Sequence, residues 1–295
     1  MFSIGEILSL STAVVWASAI IFFRKSGETV HPVALNMFKN VLALLLFIPV
    51  LYFVGQPIVR AIPLEDYLLL MLSGAIGIGL ADTVFFFSLN ILGAGLSSIV
   101  DCFYSPFVIV LSFLWLGERM TPIKLLGVGL ILAAVLMISR GEGGNGNLPR
   151  KKLVQGVILA IIAMALMAVG IVMIKPLLER SPLLWVTEVR LVGGSVVGGL
   201  LLLLLPTRSG IVGSLIKARN WGYILAGSIL GANISTVLWL GGMKYCTASI
   251  SSALNQTSNI FVFIFAALFL KEPVNLRRVL GMALAMTGVF IVTLA

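Results

Sequence analysis

Gly141–Glu142–Gly143–Gly144–Asn145–Gly146–Asn147 is the one glycine-rich polar linker in this sequence, and it falls near the middle of 295 residues. A run of this composition is flexible and has almost nothing to pack. The chain as a whole is 60% hydrophobic and only 11% charged, with a mean hydropathy of +1.14. A soluble domain carries about 25% charged residues. No soluble core of this length hides so much apolar surface, so lipid must solvate most of it.

A transmembrane helix needs about 20 mostly apolar residues. Five such segments precede the linker, at 4–23, 33–54, 67–89, 95–116 and 122–139. Five follow it, at 153–175, 182–205, 221–243, 247–270 and 276–294. The turn signals between them include His31–Pro32, Gln56–Pro57, Gly93–Ala94–Gly95, Ser181–Pro182 and Lys271–Glu272–Pro273. The break at Asn90 to Gly95 is barely polar. Residues 209–220 carry Ile211, Leu215 and Ile216 with Lys217 and Arg219, a pattern that predicts a short interfacial helix. The expected organisation is a first five-helix repeat over 1–140, a polar linker over 141–152 and a second five-helix repeat over 153–295.

The net charge of +9 does not point to nucleic acid, because the basic residues lie singly or in pairs between apolar runs, Arg150–Lys151–Lys152 excepted. Cys102 and Cys246 read as small buried hydrophobes. The single histidine, His31, has no ligand cluster around it, so neither a metal nor another cofactor is expected. The first apolar run lacks a basic start and ends at Arg24–Lys25 rather than a small-residue cleavage site, so it reads as a mature helix.

The linker's central place prompts a search for a repeat. Shifting by 154 residues lays Leu116–Gly117–Glu118–Arg119 on Leu270–Lys271–Glu272–Pro273 and Leu126–Gly127 on Leu280–Gly281. Ser97–Ser98 and Phe107–Val108 then meet Ser251–Ser252 and Phe261–Val262. A shift of 150 lays Lys25 on Lys175 and Pro32 on Pro182. An odd number of helices per repeat inverts the second copy relative to the first. The fold expected is therefore all-α and membrane-integral, with ten helices in two inverted repeats around a central cavity.

The stretch Phe113-Leu-Trp-Leu-Gly-Glu-Arg-Met-Thr-Pro-Ile-Lys-Leu-Leu-Gly127 and its echo Phe269-Leu-Lys-Glu-Pro-Val-Asn-Leu-Arg-Arg-Val-Leu-Gly281 resemble the EamA-type repeat of the drug/metabolite transporter superfamily. In that pattern a glutamate ends the fourth helix of each repeat and a glycine follows early in the fifth. The resemblance covers nearly the whole chain. It implies ten helices, a central cavity and export or exchange of small polar metabolites. Ala253–Leu254–Asn255 is similar to a motif of nucleotide-sugar transporters, but Gln256 stands where a lysine belongs, which counts against a nucleotide-sugar substrate. Glu118 and Glu272 sit at helix ends beside basic residues and read first as structural turns with local ion pairs.

Charges in mid-membrane cost about 2.5–3.5 kcal/mol on insertion scales and face a cavity or a partner. Five stand out: Lys39, Asp82, Asp101, Glu188 and Arg190. Counting from the nearest turns puts Lys39, Asp82 and Asp101 roughly 13–15 Å deep. Glu188, Arg190 and Asn255 reach a similar depth from the other side. Ser98, Asp101 and Ser105 are spaced i, i+3, i+7, as are their repeat mates Ser252, Asn255 and Asn259. The fourth and ninth helices should therefore line the cavity, with Tyr104, Gln256 and Trp16 as further walls. The structural alternative is that Lys39 pairs with Asp82 or Asp101 only to neutralise buried charge.

A mixed set of acids and bases suits a zwitterionic or anionic metabolite. Lys39 or Arg190 would hold a carboxylate or phosphate, Arg190 bidentately. Asp101 or Asp82 would hold an ammonium group or carry a coupling proton. Gly194/Gly198 and Gly227/Gly231 have the spacing of close helix contacts.

The sequence lacks paired histidines, HExxH and a P-loop, so neither an enzyme nor an ATP-driven pump is expected. The first function expected is a secondary, proton-coupled transporter of small polar metabolites such as amino acids or related organic ions. It would work as a monomer in the cell (inner) membrane, by alternating access, with lipids, substrate and protons as its partners. The alternative is a flippase for lipids or lipid-linked head groups. About six Lys/Arg lie in loops on the N-terminal side and about twelve on the other. That balance favours an outside N-terminus, whereas the resemblance implies termini inside; both orientations stay open.

Overall fold

The computed structural model describes residues 3–118, 121–139 and 148–294. The linker Gly141–Asn147 and Arg119 lie outside the described residues. Ten helices can be numbered by their place in the repeats. The first five are α1 (Ile4–Ser26), α2 (Pro32–Phe53), α3 (Leu64–Leu92), α4 (Ala94–Leu116) and α5 (Pro122–Ser139). The second five are α6 (Arg150–Val172), α7 (Leu183–Leu204), α8 (Trp221–Tyr245), α9 (Ala248–Phe269) and α10 (Leu276–Leu294). Eight of the ten are long and apolar enough by themselves to cross a bilayer; α5 and α10 are shorter, at 18 and 19 residues. The chain is a multi-pass membrane protein of two inverted five-helix repeats. The weak break between the third and fourth segments is real: Gly93, at φ +80, makes the turn. The interfacial segment forms a helix over Arg208–Ile216, and its Ser214 hydroxyl accepts from the backbone N–H of His31 at 3.0 Å.

Local chemistry starts and stops these helices. Ser3 and Glu6 form a capping box at the head of α1. His31 caps α2 through Nδ1, which accepts from Val33 N–H, and Pro32 fills the first helical position. Burial pushes the His31 imidazole below its ordinary pKa, in keeping with a neutral ring that must accept a bond at a helix N-terminus.

The repeat glutamates do something the sequence reading did not anticipate. Neither Glu118 nor Glu272 makes an ion pair among the described residues. The Glu272 carboxylate instead accepts from the backbone N–H groups of Ala94 and Gly95, at 2.8 and 3.0 Å, capping α4 of the other repeat. Glu118 accepts from the hydroxyl of Ser249, in the first turn of α9. Each glutamate therefore holds the head of the partner repeat's fourth helix. The reason is physical: a helix start exposes N–H groups and a positive dipole end that a carboxylate satisfies better than a flexible basic side chain would satisfy the carboxylate.

The two halves also pack through glycine. A Cβ on Gly74 of α3 would fall on the carbonyl of Arg190 in α7, and one on Gly193 would fall on that of Met71. Gly127 and Gly288 bring α5 and α10 together in the same way, each Cβ meeting the other's carbonyl at 2.6 Å. Gly194 packs on Ile78, while Gly227 and Gly231 lie against the Phe23 ring of α1. On the N-terminal face, Arg180 holds Asp66 with bonds of 2.8 and 2.9 Å, another tie between the halves.

Two predictions follow from these caps. Glu272→Ala should destabilise the purified protein by about 1–3 kcal/mol, since two partly buried N–H groups lose a charged acceptor; chemical unfolding in detergent measures it. His31→Ala should cost about 1 kcal/mol at pH 8. Because the folded pKa is lowered, that stability is present above the ordinary histidine value and lost as pH falls through the folded one. The gap in melting temperature between wild type and His31→Ala should accordingly close on acidification to pH 5.

Candidate functional site

A cavity of about 90 Å³ lies where the repeats meet. As about 10–15 Å³ of such volume holds one water, it has room for several waters or a small solute. α1, α2, α3 and α4 line it from the first repeat, and α6, α7, α8 and α9 from the second. Among the described residues, neither α5 nor α10 contributes to the wall. Those two helices pack on each other outside the cavity.

Breaks in helical regularity cluster at this wall. α3 widens into a π-helical turn over Ala75–Leu80, and α8 does so over Ile229–Ser235, the same place under the shift of 154. The amide of buried Asn36 donates to the Ile78 and Gly79 carbonyls at 2.9 and 3.1 Å, and to the Thr83 hydroxyl at 2.9 Å. Carbonyls loosened by a wide turn thus keep partners inside the bilayer. α4 tightens to a 3₁₀ turn over Asp101–Phe103, and α9 breaks after Asn255, again at matched positions. Gln256 Nε2 donates to the Asp101 carbonyl at 2.8 Å and joins the two breaks.

The cavity collects Lys39, Asp82, Asp101, Tyr104, Arg190, Asn255 and Asn259 from the expected set, with Trp16 and Gln256. Lys39 is bound to Asp82 at 2.5 Å, so those two charges cancel, and Phe86 lies 5.8 Å beneath the ammonium. Arg190 is 1% exposed and makes no ion pair among the described residues. Its Nε donates to Ser73 Oγ at 2.9 Å, and the Ser73 hydroxyl in turn donates to the Gly170 carbonyl of α6. The Trp239 ring lies 5.5 Å from the guanidinium, and Nη1 has no partner. Asp101 Oδ1 and Asn255 Oδ1 are likewise buried and unpartnered. Asn259 donates to Gln256 Oε1 at 2.6 Å.

Three expected residues lie elsewhere. Ser98 returns its hydroxyl to the Gly95 carbonyl at 2.9 Å. Ser105 is fully buried off the cavity wall. The i, i+3, i+7 stripe assumed a regular helix, whereas the 3₁₀ turn rotates the residues after Asp101 out of that register. Glu188 is buried outside the cavity, as its spacing of two from Arg190 requires of a helix. The sequence reading missed Thr12, Met164, Met167, Ser235, Thr236, Trp239 and Ser258. One signal was present: Thr236 is the repeat mate of Asp82.

Comparison with known proteins agrees with this architecture. Residues 3–140 and 154–294 each match the model of the EamA-like transporter family. An uncharacterized transporter of Methanothermobacter thermautotrophicus is 28% identical over 93% of this chain and 83% of its own length. The uncharacterized transporter YvbV of Bacillus subtilis is 30% identical over 69% of this chain and 64% of its own. A solved crystal structure superposes with a TM-score of 0.71 at 18% identity, over 100% of this chain and 98% of that one, which establishes the fold. The chain belongs to the EamA-like transporter family, within the drug/metabolite transporter superfamily. It is a membrane transporter and not an enzyme.

Ser73 braces Arg190, so Ser73→Ala should leave the guanidinium Nε unsatisfied in a dry site. The expected cost is about 1–3 kcal/mol, read as a lower unfolding midpoint of the purified protein.

Proposed function

We infer that this member of the EamA-like transporter family moves small polar metabolites bearing an anionic group, such as amino acids and related organic ions, by alternating access. One observation carries the reading: Arg190 is buried in the central cavity with no carboxylate partner among the described residues and with Nη1 free. A buried guanidinium is costly without an anion. Its planar fork suits a carboxylate or phosphate, held by two parallel bonds. Lys39 is less suited to that task because Asp82 already neutralises it.

Transport requires the wall to have two arrangements. The paired π-turns in α3 and α8, and the paired breaks in α4 and α9, supply matched points of irregular backbone around the site. Inverted repeats broken near a central site are the usual basis for opening first to one face and then to the other. Among the described residues, Asp82 and Asp101 are the two carboxylates in the cavity, and a coupling proton would ride on one of them.

The test is uptake and efflux in proteoliposomes with a panel of amino acids, sugar phosphates, organic anions and lipid head groups, with and without a pH gradient. Arg190→Gln should lower transport of anionic solutes about ten- to a hundredfold, the worth of a charged hydrogen bond of about 1.5–3 kcal/mol. Arg190→Lys should not restore it, since the bidentate fork is lost. Wild-type transport by Arg190→Gln would sink the reading. Lipid translocation with silence toward every soluble solute would assign the flippase instead.

A further inference from the structure

Asp101 and Asn255 are repeat mates, 154 residues apart, and both line the central cavity. Each keeps its Oδ1 buried without a hydrogen-bond partner. Two acceptor oxygens, one on a carboxylate, therefore belong to positions that the pseudo-twofold of the repeats exchanges. The bond from Gln256 Nε2 to the Asp101 carbonyl, at 2.8 Å, ties α4 to α9 beside these two residues.

The backbone around them is irregular at matched positions. The first segment of α4, Ala94–Val100, ends at Asp101, and the first segment of α9, Ala248–Asn255, ends at Asn255. These segments start at opposite faces of the membrane and run on through a tightened turn at the cavity. Buried acceptor oxygens at such a point call for a donor or a cation. No cation of the chain answers them among the described residues. Lys39 is held by Asp82, and Arg190 is braced by Ser73 and stacked on Trp239, with Asp101 in no ion pair.

We propose that Asp101 Oδ1 and Asn255 Oδ1 form a binding site for a monovalent cation, built jointly by the two repeats. The occupant is a small cation that takes oxygen ligands: the ammonium group of a zwitterionic substrate or free Na⁺. The ammonium arm rests on the reading of Arg190 as the anion anchor, and it makes the cavity bipolar. The Na⁺ arm stands without that reading. Asn255 contributes the oxygen and Asp101 the charge, so the charge should work equally well from either position.

That exchange supplies the test. Thermal unfolding of the purified full chain is followed while NaCl, methylammonium chloride or choline chloride is titrated at constant ionic strength. The wild type should show a saturable rise in melting temperature with methylammonium, with Na⁺ or with both, and none with bulky choline. Methylammonium alone points to the substrate's own ammonium; Na⁺ points to a free coupling ion. Asp101→Asn should fold, since it removes a buried charge, yet need at least about tenfold more cation for half-saturation. The double variant Asp101→Asn/Asn255→Asp should recover the wild-type response. Absence of any shift in the wild type, an unchanged response in Asp101→Asn, or failure of the double variant to recover overturns the proposal. None of these outcomes depends on solute transport, so a failed Arg190 experiment and a failed cation site are told apart.

Discussion

The hydrocarbon core of a membrane holds no water to rescue a free backbone group or an unpaired charge, and this molecule is arranged around that constraint. Several buried polar groups are closed on one another. Asn36 takes up the carbonyls of the widened turn in α3, and Ser88 of the same helix donates to the Gly156 carbonyl of α6 at 2.8 Å. Serine and threonine hydroxyls return to carbonyls in their own helices, as Thr12 does to Leu8 and Ser228 to Ile224. Arg190, Asp101 and Asn255 each bring to one cavity an atom with no hydrogen-bond partner among the described residues.

The rigidity that holds those atoms in place comes from close helix crossings. With glycine at 74 and 193, α3 and α7 approach backbone to backbone, and Arg190 lies at that crossing. Ser73, one residue before Gly74, is thereby within reach of the guanidinium and of Gly170 in α6. Packing and site geometry are the same contact seen from two sides. The α5–α10 pair, which contributes nothing to the wall among the described residues, joins the ends of the two repeats beyond the cavity.

Much of this was legible in the sequence, for definable reasons. Hydropathy reads spans because a bilayer demands long apolar runs, and the observed helix ends differ from the expected ones by a few residues. Charge in an apolar run reads as cavity for the same reason, which is how Lys39, Asp82, Asp101 and Arg190 were found. The stripe logic failed at Ser105 because nothing in the residue pattern announces that α4 tightens at Asp101, whereas Ser98, before that turn, returns its hydroxyl to the Gly95 carbonyl. Glu188 carries a mid-membrane charge as Arg190 does, and only the packing around α7 decides which of the two meets the cavity. The glutamate caps were hidden because they are contacts between chain segments 178 and 131 residues apart.

Those caps bear on how the protein is made. The N–H groups of Ala94 and Gly95 leave the ribosome long before Glu272, their acceptor, has been synthesised. Until then the head of α4 is without the carboxylate that caps it in the finished molecule. Glu118 waits in turn for Ser249. Each repeat is thus an assembly template for the other, and the last loop to be translated closes the first half. A truncated chain that ends at the linker would have both its fourth-helix head and its glutamate unmatched.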